Sequence, residues 1–596
     1  MTQKNKTEQG LDLGIVGNGT VAGLIDRRGA YRWLCLPRLD GEPVFNSLMN
    51  GGGTFGVWME GLEKHSQSYE KNTAILRTRL EAKDGSILEI VDFSPRFDKN
   101  GRTFRPAAVV RQFHVIAGEP KIAITLSVEA EWGKTKIKPK RGVNHIRYES
   151  EDTRFRITTD APVSYVMNGT QFLLDNDVTF ILNADEALAD SVHALADDWY
   201  RRTASYWYRW SRSLAIPIEW QDAVIRAAIT LKLCVFEETG GIVAALTTSI
   251  PEHSGSQRNW DYRYCWIRDA YFSVTALNRL SEMETLEHYM RWVRNIVSHS
   301  KGGHIQPVYG ISLEENLTET IAEALPGYSN MGPVRVGNQA AEHIQHDVYG
   351  QIVLGVAQSF FDKRLLNNPG LAEFKALEPV GERAYAMHDQ PDAGIWEFRT
   401  IAQVHTSSAI MCWAACDRLS RIAAHLGQTD RETYWEERAG LIHQKILAEA
   451  WSEERNAFTA AFGGEALDAS VLLMAEIGFI SAQDPRYVGT VEAIEAELRE
   501  GDHIYRYKVE DDFGRPETAF TACTFWYIDA LSRIGRKDEA RRLFENILST
   551  RNHLGLLSED VDTETGELWG NFPQTYCMVG IINSAALLSK RWTETI

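Results

Sequence analysis

The sequence predicts a multi-domain fold of the β plus α class, with an N-terminal antiparallel β-sandwich followed by a barrel of paired helices. A chain of 596 residues is longer than one hydrophobic core usually organises, so at least two domains are expected. Strand-like alternation fills the first third, and a helical period begins near residue 218. We therefore predict a β-sandwich domain over 1–190, a helical linker over 191–217 and a helical barrel over 218–596.

Alternating apolar and polar residues mark the strands of the first domain. The runs TAILRTRLEA (73–82) and SILEIVDFS (86–94) flank the turn residues Asp84 and Gly85, which predicts a β-hairpin. No helical pattern of useful length interrupts the strand-like runs, and many antiparallel strands without helices favour a sandwich. Further strand-like runs lie at 107–117, 121–130, 154–159 and 178–183.

Helical periodicity marks the linker and the second domain. The segment 185–210 has the pattern of a helix, and residues 284–298 carry a single apolar stripe. The helical run 520–534 ends at Gly535 and precedes a second run at 537–548, which predicts an αα-hairpin with a glycine stop. We expect about twelve such helices arranged in pairs, a number that suits an α/α toroid.

Composition excludes several classes of partner. The chain is 44% hydrophobic and 24% charged, as in soluble globular proteins. Its formal net charge of −18 argues against nucleic acid or an anionic membrane as a partner, because both bind basic surfaces. The seven cysteines are scattered and the N-terminus lacks an apolar signal segment, so we predict a cytoplasmic protein. The oligomeric state stays open, and a homo-oligomer is compatible with the sequence.

Two weak motifs bear on cofactors and metals. A GxGxxxG pattern spans Gly17–Gly23, but no helix or βαβ unit follows it, so a β-hairpin turn is favoured over a nucleotide site. His343, His346 and Asp347 could share a helix face, yet there is no HExxH motif and no evident further ligand. The sequence therefore predicts neither a cofactor nor a metal.

Two glutamates in aromatic settings are the candidate catalytic residues. Glu397 lies in GIWEFRT (394–400) beside Trp396, and Glu559 lies in LLSEDVDTETGELWGNFPQ (556–574) near Trp569 and Phe572. Hydrolysis of a glycosidic bond requires two carboxyl groups flanking the linkage, one of which donates a proton. An apolar neighbour raises a carboxyl pKa and so helps it to retain that proton near neutrality.

The segment 259–273 (NWDYRYCWIRDAYFS) is the densest in chemistry-bearing residues. It contains six aromatic and four charged residues in fifteen positions, with Arg268 and Asp269 between Trp266 and Tyr271. Aromatic stacking combined with charged hydrogen bonds suits a sugar ring, which has an apolar face and a fringe of hydroxyls. A buried ion pair in an aromatic core is the alternative interpretation of this segment.

Five segments together resemble glycoside hydrolase family 15, which contains glucoamylases, glucodextranases and bacterial and archaeal trehalases. The resemblance extends from about residue 12 to residue 590. It implies an N-terminal β-sandwich packed on an (α/α)6 barrel. The segments are IVGNGTVAGLIDRRGAYRWLCLPRLD, WDYRYCWIRDA, LPGYSNMGPVRVGNQAAEHIQHDVYG, GIWEFRT and LLSEDVDTETGELWGNFPQ.

The resemblance implies anomeric inversion by a single displacement. By motif, Glu397 matches the general acid of the family and Glu559 its general base. Inverting sites hold these carboxyls about 6.5–9.5 Å apart, leaving room for the attacking water. This mechanism requires no cofactor. The expected substrate is a small α-linked glucose disaccharide or oligosaccharide.

The resemblance also implies substrate-binding residues. Arg268 and Asp269 match residues that hold hydroxyls of the terminal glucose, and Trp266 flanks this pair. Trp396 is expected to line the same subsite, and Arg506 matches a substrate-binding arginine. Many bacterial relatives read close to VRGGPRHFTxSK after GIWE, whereas this chain reads FRTIAQVHTSSA at 398–409. This departure makes substrate choice the least determined property.

The sequence favours an inverting, exo-acting, glucoamylase-like hydrolase that releases β-glucose from the non-reducing end of α-linked gluco-oligosaccharides. The first alternative is a trehalase of the same family, whose pocket would close around a second glucose. More remote alternatives are an inverting disaccharide phosphorylase and a non-catalytic sugar-binding protein. A phosphorylase needs no catalytic base and a binding protein needs neither glutamate, so the presence of Glu397 and Glu559 counts against both.

Overall fold

The N-terminal domain consists almost entirely of β-strands. The computed structural model of the protein describes residues 10–365 and 368–595. The elements before residue 190 are β1 (Leu13–Gly17), β2 (Ala22–Asp26), β3 (Tyr31–Leu36), β4 (Glu42–Phe45), β5 (Thr54–Met59), β6 (Leu62–Tyr69), β7 (Leu76–Ala82), β8 (Ile87–Phe93), β9 (Phe97–Lys99), β10 (Arg102–Phe104), β11 (Val109–Ala117), β12 (Lys121–Ser127), β13 (Glu129–Ala130), β14 (Thr135–Lys136), β15 (Lys140–Arg141), β16 (His145–Glu149), β17 (Arg154–Thr159), α1 (Val163–Asn168), β18 (Phe172–Leu173) and β19 (Val178–Ala184).

Two large antiparallel sheets form the sandwich. One has the strand order β1-β2-β3-β5-β12-β18, with β4 paired to β3, and the other has the order β15-β16-β17-β19-β11-β8-β7-β6. The predicted hairpin is confirmed, since β7 and β8 pair in antiparallel register. Alternate residues of β7, from Leu76 to Ala82, are buried, because successive side chains of a strand point to opposite faces.

The remaining elements form the second, helical domain and the helix that leads into it. Within the described residues, no helix is long and apolar enough to cross a membrane. The helices are α2 (Val192–Ser213), α3 (Gln221–Cys234), α4 (Ile267–Arg279), α5 (Glu284–Ser300), α6 (Asp347–Phe361), α7 (Leu371–Met387), α8 (Thr406–His425), α9 (Thr429–Glu449), α10 (Met474–Ile477), α11 (Pro485–Leu498), α12 (Thr521–Arg533), α13 (Lys537–Ser549), α14 (Thr575–Leu588) and α15 (Trp592–Thr595).

Short strands connect these helices. They are β20 (Val235–Phe236), β21 (Gly241–Ile242), β22 (Cys265–Trp266), β23 (Val308–Tyr309), β24 (Thr320–Ile321), β25 (Arg335–Val336), β26 (Trp451–Ser452), β27 (Ala457–Phe458), β28 (Arg499–Glu500), β29 (His503–Ile504), β30 (Ala519–Phe520), β31 (Asp560–Val561) and β32 (Leu568–Trp569). β30, β31 and β32 form a small antiparallel sheet, which carries the backbone beside Glu559.

The helices form the two rings of an (α/α)6 barrel. In the inner ring α4 packs on α6, α6 on α8, α12 on α14, and α14 returns to α4. Outer helices α5, α7, α9 and α13 pack on α4, α6, α8 and α12 respectively. Nearly every residue of α12 and α14 is buried, as expected of helices that are surrounded on all sides.

The fifth inner position differs from a regular helix pair. It is occupied by a 3₁₀ segment, Ala469–Leu473, which continues into the single turn of α10. The buried side chain of Asp468 accepts a hydrogen bond from Ser470 N at 2.8 Å and caps this segment. The segment packs against both α8 and α12, so it closes the ring without a long helix.

A buried ionic cluster joins the sandwich to the barrel. Glu237, which follows β20, pairs with Arg96 from the sandwich and with Lys232 from α3. Lys232 Nζ also lies 3.0 Å from a carboxylate oxygen of Glu282. These cations lower the pKa of Glu237 despite its burial, so the carboxylate stays ionised and holds both domains together.

Candidate active site

One pocket collects all seven site residues predicted from the sequence. It lies at the N-terminal ends of α4, α12 and α14, since residues Trp266, Phe520 and Gln574 line it just before these helices begin. The predicted residues on its wall are Trp266, Arg268, Asp269, Trp396, Glu397, Arg506 and Glu559. Their catalytic and binding roles stay predictions.

Glu397 is held by donors on a neighbouring helix terminus. Its Oε1 accepts hydrogen bonds from Trp266 Nε1 at 2.5 Å and from Arg268 Nη2 at 3.1 Å. Its backbone φ is +63°, a value uncommon for residues other than glycine and often found at functional sites. The side chain is 21% exposed, so it can reach both the pocket and its protein partners.

Trp396 forms an aromatic wall beside the candidate acid. Its indole Nε1 donates to Asp468 Oδ2 at 2.7 Å, which ties the ring to the 3₁₀ segment of the inner ring. The indole packs edge-on against Phe520, with ring centroids 5.6 Å apart, and lies 6.1 Å from Trp526. Such broad, fixed apolar surfaces suit the C–H faces of a sugar.

Glu559 is buried immediately before β31. Only 2% of it is exposed, and its Oε1 accepts a hydrogen bond from Tyr262 Oη at 2.6 Å. Burial, together with the negative charge of Glu252, raises the pKa of Glu559 to about 8, against the opposing effects of Tyr262 and Arg506. The carboxyl therefore ionises close to the physiological pH range and can act as a base there.

Two further carboxylates stand beside Glu559. One carboxylate oxygen each of Glu252, Glu559 and Asp560 lies within 4.8 Å of the other two. Arg506 balances part of this charge through a bidentate pair with Glu252, with N···O distances of 3.1 and 2.5 Å. Burial, together with the negative charges of Glu252 and Glu559, raises the pKa of Asp560 well above its usual range.

The pocket floor carries polar atoms that lack a hydrogen-bond partner among the described residues. They include Arg268 Nε, Asp269 Oδ2 and Tyr576 Oη, all on residues that line the pocket. Arg268 Nε and Asp269 Oδ2 lie 3.6 Å apart as an ion pair, beyond hydrogen-bond distance. Arg268 is fixed by its donation to Ile395 O at 2.9 Å, and burial raises the pKa of Asp269 to about 7. Unsatisfied buried donors and acceptors on a pocket wall call for a polar ligand such as one bearing hydroxyl groups.

Sequence reasoning missed three residues of this site. Tyr262 lies in the aromatic segment 259–273, so its position was visible but its bond to Glu559 was not. Glu252 lies 254 residues from its partner Arg506, and only the fold reveals their pairing. Asp560 directly follows Glu559, and the adjacent acidic residues were the one available signal.

Comparisons with known proteins identify the family. The family model described as "Glycosyl hydrolases family 15" matches residues 219–586, and the model described as "Trehalase-like, N-terminal" matches residues 8–189. The chain belongs to glycosyl hydrolase family 15. The resemblance seen in the sequence motifs is thereby confirmed, and the chain is a glycoside hydrolase.

Similar proteins support this family 15 membership along the whole chain. A trehalase of Thermoplasma volcanium is 30% identical over 593 residues, covering 97% of this chain and 93% of the relative. A trehalase of Mycolicibacterium smegmatis is also 30% identical, covering 96% and 90%. A bacterial glucoamylase solved with acarbose superposes with a TM-score of 0.73 at 12% identity, covering 99% and 96%. This last likeness shows the fold alone and confirms the predicted sandwich-plus-barrel class.

Proposed function

We propose that this family 15 enzyme hydrolyses α,α-trehalose with inversion at one anomeric carbon. The observation that carries the substrate is the full-length similarity to proteins named trehalase, which covers at least 90% of either chain for both relatives described. The N-terminal domain also matches a model described as trehalase-like. These similarities favour the trehalase alternative over the glucoamylase-like function that the motifs alone suggest.

The proposed acid is Glu397. Both of its hydrogen-bond donors reach Oε1, which leaves Oε2 as the natural carrier of the transferable proton. In the reaction this proton passes to the glycosidic oxygen as the bond from the first anomeric carbon to that oxygen breaks. The departing glucose leaves with its own anomeric configuration unchanged.

The proposed base is Glu559. Once ionised, it takes a proton from a water molecule that attacks the first anomeric carbon from the face opposite to the leaving oxygen. Tyr262 holds Oε1 of Glu559 through its hydroxyl, and this contact fixes the direction of the carboxylate. The first glucose is released in the β form and the second in the α form.

Arg268, Asp269 and Tyr576 are proposed to bind the hydroxyls of the glucose that is attacked. Each carries a buried polar atom without a hydrogen bond on the pocket wall, and a sugar hydroxyl can both donate and accept a hydrogen bond. Trp266 and Trp396 are proposed to flank the same ring, and Arg506 to act through its pair with Glu252. These assignments rest on the pocket geometry and on the sequence motifs.

The test is glucose release from α,α-trehalose, maltose and isomaltose by the purified chain, with Glu397→Gln as the inactive control. We expect kcat/KM for trehalose to exceed that for maltose and isomaltose by at least about tenfold, because a site that hydrogen-bonds one sugar arrangement leaves polar groups unpaired with another. A preference for maltose that increases with chain length would instead favour the glucoamylase-like function.

A further inference from the structure

A short loop segment contributes three consecutive residues to the lining of the proposed trehalose pocket. Asp511, Asp512 and Phe513, here called the rim bridge, lie between β29 and β30, and all three line the pocket. On one side, Asp511 accepts a hydrogen bond from Arg258 Nη2. The same guanidinium donates to Gly514 O at 2.7 Å. These contacts fix one end of the rim bridge to the loop that precedes α4.

The other side of the rim bridge is attached next to the candidate acid. Asp512 Oδ2 accepts a hydrogen bond from Arg399 N at 2.6 Å, and Asp512 Oδ1 accepts one from Thr400 N at 3.0 Å. The hydroxyl of Thr400 donates to the same oxygen. Arg399 and Thr400 lie two and three residues after Glu397 in the sequence, so this attachment is close to the candidate acid.

Phe513 is the aromatic centre of the rim bridge. It is 37% exposed, unlike the buried aromatic residues of the barrel core. Its ring packs edge-on against Trp260 with centroids 5.5 Å apart, and the guanidinium carbons of Arg258 and Arg399 lie 5.6 and 5.4 Å from its centroid. A partly exposed ring fixed on several sides at a pocket rim is suited to contact a ligand.

We propose that the rim bridge limits the pocket to two sugar rings and so excludes longer α-glucans. This inference rests on the proposed function. Thr400 is three residues beyond Glu397, so the attachment lies at most about 11 Å from the acid along the chain. Since the bridge lines the pocket next to the acid and carries a partly exposed ring, we place it beyond the departing glucose, where a third sugar of a longer chain would meet it.

The experiment compares α,α-trehalose with the trisaccharide that carries one extra glucose on O4 of one trehalose ring. The unmodified ring can still enter the inner subsite, so the trisaccharide differs only at the rim. For the wild type we expect kcat/KM to be at least about 100-fold lower for the trisaccharide. Phe513→Ala and Asp512→Asn are each expected to lower the ratio of kcat/KM for trehalose to kcat/KM for the trisaccharide by about tenfold. The first variant removes the obstructing ring, and the second loosens its attachment.

Arg515→Ala is the matched control. It changes an exposed side chain of the same loop that does not line the pocket, and the substrate ratio is expected to stay within about twofold of the wild-type value. Circular dichroism and thermal melting of each variant identify any loss of folding. Two independent variants keep the test open if one of them misfolds.

Equal efficiency of the wild type on both sugars would overturn the proposal, as would an unchanged ratio in both folded rim-bridge variants. Absence of trehalose hydrolysis by the wild type would instead count against the proposed function alone. In that case the same variants are compared on maltose and maltotriose. If the rim bridge excludes a third sugar, the wild type prefers maltose, and the ratio of kcat/KM for maltose to kcat/KM for maltotriose falls in both variants.

Discussion

Replacing Glu252 by Gln removes one buried negative charge beside the proposed base while keeping the shape of the side chain. In the native site Glu252 pairs with Arg506, and its charge raises the pKa of Glu559. The amide no longer repels the ionised Glu559, and it frees Arg506 to interact with Glu559 and Asp560. Both effects act in the same direction and lower the pKa of Glu559.

The expected magnitude follows from the spacing of the cluster. A carboxylate oxygen of Glu252 lies within 4.8 Å of a carboxylate oxygen of Glu559. Two unit charges at that separation interact by about 3.5 kcal/mol at an effective dielectric constant of about 20, which corresponds to about 2.5 pKa units. Because Arg506 stays in the site and is freed from Glu252, its positive charge adds to this effect, and we expect a downward shift of at least about two units.

The assay is the pH dependence of kcat/KM for trehalose, which reports ionisation in the free enzyme. A base is active when ionised, so activity is present above the pKa of Glu559 and is lost as the pH falls through it. The acidic limb of the wild type is expected near pH 8, the value to which burial and Glu252 raise this pKa. In Glu252→Gln the limb moves to lower pH, whereas the exposed-loop control Glu510→Gln leaves it in place.

A limb that does not move, or that moves to higher pH, would refute this account of the base. The fold of the variant is checked by thermal melting, because Arg506 loses its bidentate partner. A lower melting temperature with the predicted shift in the limb still supports the electrostatic argument. If the acidic limb of the pH dependence of kcat/KM disappeared while the melting temperature stayed at the wild-type value, another group would control this pH dependence.

The remaining predictions concern catalysis and stability. Glu397→Gln and Glu559→Gln are each expected to lower kcat on trehalose by about 100- to 10,000-fold, as measured by glucose release, and near-wild-type rates would contradict their roles. Trp266→Phe removes the indole donor to Glu397 and is expected to lower kcat by about 10- to 100-fold. Glu237→Gln leaves the buried Arg96 without its carboxylate partner and removes one of the carboxylates that pair with Lys232. It should reduce the free energy of unfolding by about 3–5 kcal/mol in guanidinium titrations at pH 7, and a change below about 0.5 kcal/mol would contradict the ionic cluster.

The fold class was predictable because its signals are local. Alternation of burial over β7 and the helical stripe of α5 can both be read from consecutive residues, as period 2 and period 3.6. The 3₁₀ segment Ala469–Leu473 could not be predicted in this way. Its conformation depends on the cap from Asp468 and on contacts with two distant helices, and neither contact leaves a periodic pattern.

The candidate site was predictable only in part. Motifs identified Glu397 and Glu559 as residues of one pocket, but their electrostatic environment depends on residues far away in sequence. Glu252 contributes through a charge that is adjacent only after folding, and Tyr262 through a hydrogen bond that spans 297 residues. The rim bridge likewise depends on contacts between Asp512 and the stretch after Glu397, so the motif departure at 398–409 gained a structural meaning only from the fold.

Glu397 and Glu559 together are proposed to hydrolyse trehalose with inversion of configuration at one anomeric carbon. Proton NMR of the products in the first minutes, before mutarotation, tests this proposal most directly. Inversion at one carbon and retention at the other predict equal amounts of β-glucose and α-glucose, and no signal above background with Glu559→Gln. Release of α-glucose alone would show retention at both carbons and would contradict the account.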